Sequence, residues 1–188
     1  MDILAAHSLL KTRISELKAT YPVGSPWIFL AAAALVEYLA KLVDGEDKGG
    51  KGYKDFVIRW MAQVRPEYKD FKYKSGEVDL PVQMYHVLRC GIVHSLSLIP
   101  DNIGKKHGGR NRSIGLLYKA ESIDRKLQHL HSYSDTNIQD AALFVAEDFV
   151  EDIEKVIELI FAEANINTAL ANNIKLWLNL HPLLKGGY

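Results

Sequence analysis

Residues 138–164 read IQDAALFVAEDFVEDIEKVIELIFAEA. Ala142, Val145, Phe149, Ile153, Val156 and Ile160 recur at helical spacing, while Glu147, Asp148, Glu151, Asp152, Glu154 and Glu158 fall on the other side. That is the pattern of an amphipathic helix with one face in a core and one in water. It predicts a single long helix over the whole stretch, its acidic side solvated.

The rest of the chain reads in the same period. Residues 2–20 carry Ile3, Leu10, Ile14 and Leu17 at helical spacing, with Asp2 placed to cap. Ser25 before Pro26 marks the start of a second helix that runs to about Val43. DGEDKGGKG at 44–52 reads as a polar connector, and a third helix covers about Tyr53 to Val64, stopped by Pro66. Residues 66–78 read as an irregular link. Asp79, Leu80 and Pro81 open a fourth helix that ends near Ser95 to Ser97. Residues 99–112 form a basic loop, and a last helix covers about 166–179. Only 114–134 stays ambiguous: IGLLY suits a short strand, ESIDRKLQHL one or two helical turns. The expectation is an all-α bundle of five or six helices in a single domain over 1–188.

Composition narrows the class. The chain has 188 residues, one Cys, and 23 basic against 23 acidic groups. One Cys excludes an internal disulfide framework and suits a cytoplasmic protein. The zero net charge hides a segregation. Residues 1–43 hold 4 basic and 3 acidic groups, 44–119 hold 14 and 9, and 120–188 hold 5 and 11. The middle third is therefore the place for an anionic partner. The apolar run from Trp27 is broken by Glu37 and Lys41, short of the ~20 residues that span a bilayer. No membrane association is expected.

Two apparent motifs fail. Gly45 to Lys51 imitates a phosphate-binding loop, but Gly52 stands where the magnesium-binding hydroxyl belongs, and a helix precedes it. His86, Cys90 and His94 form an i, i+4, i+8 stripe, yet its ends are ~12 Å apart on a helix, too far for one metal. Cys90 reads as a small packing residue, and His129 and His131 as surface histidines.

Two further features carry chemistry. Glu37 and Lys41 form an i, i+4 pair on an otherwise apolar helix, in the favoured orientation. Arg89 and His94 form an R-x4-H arrangement late in the fourth helix. On an ideal α-helix these two would point ~140° apart. They meet only if the helix ends or distorts near Gly91, or if two subunits contribute.

An R-x4-H on a late helix with an E-x3-K on an early one resembles the HEPN superfamily of nucleotide-binding helical domains. IFLAAAALVEYLAKLVDG, KDFVIRWM and MYHVLRCGIVHSLSL are similar in texture to its stand-alone bacterial members, over roughly residues 25–97. The resemblance implies a metal-independent endoribonuclease working without cofactor at a homodimer cleft. Such proteins serve in toxin–antitoxin or phage-defence systems, with RNA as substrate and an antitoxin protein as a partner. Arg89 and His94 match its catalytic motif, and Glu37 and Lys41 its supporting pair. Lys105, Lys106, Arg110 and Arg112, just after the motif, are placed to contact RNA phosphates. Active members often carry a polar residue after the Arg, where this chain has Cys90. The alternative is therefore a non-catalytic HEPN module that binds a nucleotide, RNA or a protein.

Overall fold

The computed structural model describes residues 2–21, 27–73, 79–91, 114–134 and 140–181. Helices dominate them. α1 is Ile3–Ala19, and Asp2 caps it by accepting from the Ala5 N–H at 2.7 Å. α2 is Trp27–Asp44, closed by Gly45 at φ 73°, a left-handed conformation that suits glycine. α3 begins at Gly49 and runs to Phe56, so the connector expected at 44–52 is shorter than its glycines suggest. It continues through a π-helical stretch, Val57–Met61, and an α turn, Ala62–Val64. Arg65 is extended before Pro66, as residues preceding proline favour. The expected irregular link contains a short α4, Glu67–Asp70. α5, Leu80–Gln83, is capped by Asp79 as read, and leads into a second π-helical stretch, Met84–Gly91.

The all-α expectation is corrected by a small sheet. β1 is Ile114–Leu117, β2 is Ser132–Tyr133 and β3 is Ala141–Val145, in the order β1-β3-β2. β1 lies parallel to β3, with Ile114 opposite Ala142, and β2 lies antiparallel to it. α6, Lys119–Asp124, falls between β1 and β2. The long helix expected from 138 is therefore split: AALFV is a strand, and α7 begins at Ala146 and ends at Ala164. Five apolar residues in a row suit either element, because periodicity alone does not separate a buried strand from a buried helix. Burial on both faces decides it. Ala142 and Phe144 face the main core, while Leu143 and Val145 join Leu117 in a smaller cluster. Asp140, at φ 55°, adopts a backbone that no right-handed helix passes through. α8 is Thr168–Leu180, capped by Asn167.

The acidic side of α7 is only in part the solvated face its sequence suggests: Glu151 and Glu158 are exposed, but Asp152 is not. Glu154 meets Lys18 and Glu158 meets Lys11, both on α1, while Asp148 meets Lys119. Asp152 is 1% exposed. Arg65 clamps it through Nε at 2.8 Å and Nη2 at 3.3 Å, and the Tyr68 hydroxyl donates to it at 3.1 Å. His129 Nε2 lies 3.5 Å away, while its Nδ1 accepts the Val145 N–H at 3.0 Å. His129 is thus buried rather than surface, and only His131 is exposed. Since Nδ1 accepts, the neutral ring carries its proton on Nε2, facing Asp152 and Tyr68. The network ties α7, the α3–α4 link and the end of β3 together.

Among the described residues, no helix is long and apolar enough to cross a membrane.

Burial lowers the His129 pKa from its ordinary 6.5, and the nearby Asp152 carboxylate offsets this only in part. The unfolded chain therefore takes up this proton at higher pH than the folded one. The stability it contributes is complete above about 6.5 and is lost as pH falls through the lower folded value. The urea midpoint of the wild type should fall across this mildly acidic range, and His129→Gln should remove that limb. Asp152→Ala, which strands the Arg65 clamp, should cost roughly 3–5 kcal/mol in the same assay.

Candidate functional site

The residues singled out on α2 and in the Met84–Gly91 stretch do come together. Glu37 and Lys41 sit one turn apart on α2, with Lys41 Nζ 3.0 Å from Glu37 Oε1. Arg89 donates from Nε to Glu37 Oε2 at 2.6 Å and from Nη2 to Oε1 at 3.1 Å. This bidentate contact is the strong geometry for guanidinium and carboxylate. It joins two helices whose contributing residues are 52 positions apart.

The pair extends further than the sequence shows. Lys41 also meets Asp47 Oδ2 at 2.8 Å, and Asp47 Oδ1 accepts the Gly49 N–H at 2.8 Å, at the start of α3. Asp47 was not a candidate. Its only sequence signal is an Asp two residues before a glycine, an Asx-turn pattern common in loops.

Charge follows geometry. Burial pushes the Glu37 carboxyl up, but the Arg89 and Lys41 hydrogen bonds and charges outweigh it, and its pKa lies below the ordinary range. The Glu37 contact raises the Arg89 pKa despite partial burial, so this side chain stays cationic throughout.

Cys90 is half-buried in the same stretch. Tyr85 and Cys90 are five residues apart in the π stretch. Hydrogen bonding from i to i+5 widens the turn to about 4.4 residues, so side chains five apart lie only about 50° apart. A distortion is thus present up to Gly91. His94 lies outside the described residues, as do Lys105, Lys106, Arg110 and Arg112.

The notch beside Glu37 and Lys41 is lined by Asp44, Lys48 and Tyr53 and holds no space for a water molecule. The larger polar cleft, about 510 Å³, lies over the Asp152 network instead, lined by Arg65, Lys119, Lys126, His131 and Asp148 among others. Sequence reasoning missed it because its residues come from three separate segments.

No known protein family, curated protein or solved structure matches the chain.

If Arg89, Glu37 and Lys41 act as one unit, Glu37→Ala and Arg89→Ala should not add. A double-mutant cycle by urea denaturation should return a coupling of roughly 1–3 kcal/mol. Because the Glu37 pKa is depressed, its contribution is present above the ordinary carboxylate range and lost as pH falls below it. The coupling should shrink accordingly in acid.

Proposed function

We propose that the chain is a metal-independent endoribonuclease of the HEPN type that acts on RNA as a homodimer. The observation that carries this reading is the Arg89–Glu37–Lys41 cluster. Two short sequence patterns, far apart in the chain, meet through a bidentate ion pair. The π winding adds support, because it departs from the ideal α-helix over Arg89 to Gly91, where the five-residue spacing begins.

The chemistry follows from the residue types. Glu37 occupies two of the five N–H donors of the guanidinium, Nε–H and one on Nη2, and fixes its plane. The outward edge of the fork is then preorganised for phosphodiester oxygens, at no cost in side-chain freedom when substrate arrives. His94 would take the proton from a ribose 2′-hydroxyl or return one to the leaving 5′-oxygen, since imidazole titrates near neutrality. Attack of the 2′-oxygen on phosphorus expels the 5′-oxygen. The products are a 2′,3′-cyclic phosphate and a 5′-hydroxyl. Two Arg–His sets about a two-fold axis supply acid, base and charge together. A role in a toxin–antitoxin or phage-defence system is part of the same proposal, resting on the family resemblance.

Arg89→Ala and His94→Ala should each reduce cleavage of mixed RNA by ~10²–10⁴-fold while dimer and fold persist, and the two losses should not add. Cleavage should survive EDTA and leave cyclic-phosphate ends. Wild type that binds RNA or a protein partner but cleaves nothing would establish the non-catalytic module instead. Neutralising Lys105, Lys106, Arg110 and Arg112 together should lower the salt dependence of RNA binding equally across sequences. An unchanged slope would make that segment a solvated connector.

A further inference from the structure

We infer that Tyr85 is a nucleobase-stacking residue of the Arg89 site, so that the site prefers a purine beside the phosphate it holds. The inference rests on the RNA reading above and adds a residue that neither sequence pattern contains.

Position comes first. Tyr85 lies in the same π stretch as Arg89. Its ring packs on Tyr53, which lines the notch beside Glu37, the carboxylate that holds Arg89. The ring therefore borders the Glu37–Arg89 pair proposed to hold phosphate.

Rigidity comes second. The ring packs on the buried Tyr53, centroids 5.6 Å apart and planes tilted by 56°. It also lies against the start of α3. A Cβ placed on Gly50 would come within 2.6 Å of Tyr85 Cε1 and 2.8 Å of Cζ. Only glycine lets the α3 backbone approach this ring. An aromatic fixed in this way loses little freedom when a base stacks on it.

Exposure comes third. Tyr53 is 1% exposed and closes the core, whereas Tyr85 above it remains partly open to solvent. A fixed, partly exposed ring beside a cation is the combination that single-stranded nucleic acid binding uses. The cation tracks the backbone, and the ring takes a base. Stacking strength follows the area of the base, so adenine gains more than uracil.

The test uses the full chain and 2′-O-methyl oligo-A and oligo-U of about eight nucleotides, which lack the attacking hydroxyl and so cannot be cleaved. Affinity is read by fluorescence anisotropy at several salt concentrations. Tyr85→Leu should weaken oligo-A binding about five- to a hundredfold, weaken oligo-U less, and leave the salt slope unchanged. Tyr85→Phe should match wild type, and Tyr85→Trp should bind oligo-A at least as tightly, which keeps the test informative if Tyr85→Leu is unstable. Arg89→Ala should reduce the salt slope. If Arg89→Ala weakens binding and Tyr85→Leu does not, the stacking role is overturned and the RNA reading stands. If Tyr85→Phe is as weak as Tyr85→Leu, the hydroxyl rather than the ring is at work, and the inference fails. If wild type binds neither oligonucleotide, the RNA reading fails and the inference with it.

Discussion

A buried carboxylate cannot stay charged without partners, and Asp152 collects three of them. Arg65 reaches it from the α3–α4 link, Tyr68 from α4 and His129 from the turn before β2. His129 in turn spends its other nitrogen on the Val145 amide, where strand gives way to helix. Without that bond the last strand amide would face the core unpaired, at a cost of about 1–3 kcal/mol. The sheet, the long helix and the kink at Pro66 therefore depend on one another through a single oxygen-rich centre. Burying charge in this way rarely adds net stability over an apolar core. What it does is define one arrangement, because any slip of β3 against α7 leaves a charge unpaired.

The Arg89–Glu37–Lys41–Asp47 chain is built on the same principle but left open. Its members are a fifth to a half exposed instead of buried. The α2 helix beneath is nearly all core, which makes a carboxylate at position 37 costly unless a cation meets it. Arg89 meets it from the π stretch. A π turn forgoes the closer packing of an α-helix, and such turns concentrate at functional sites. Here it sets which side chains share a face around Arg89.

Much of the candidate site was legible because its signals were local. Glu37 and Lys41 announce themselves as charges in an apolar helix, and Asp79 and Asp2 as caps before apolar runs. Arg89 was legible as half of a spaced pair, though not its ion-pair partner's geometry. Asp47, Tyr85 and the cleft beneath Lys119 were not legible. Each depends on a neighbour supplied by another segment, and Asp, Tyr and Lys are ordinary residues for the positions they hold.

The helices, their caps and most of their boundaries were determined by the sequence alone, since propensity, capping and 3.6-residue periodicity act within a few residues. The state of AALFV was decided by the tertiary structure. Five consecutive apolar residues satisfy a buried helix and a buried strand equally well, and the choice fell to Ile114–Leu117, whose exposed edge offered β3 a parallel partner. Asp152 shows the same division. In sequence it is one acid among many on a helix face. Only the arrival of Arg65, Tyr68 and His129 from distant segments turns it into a buried, fully paired charge, because desolvation and pairing are properties of the assembled interior and not of any local stretch.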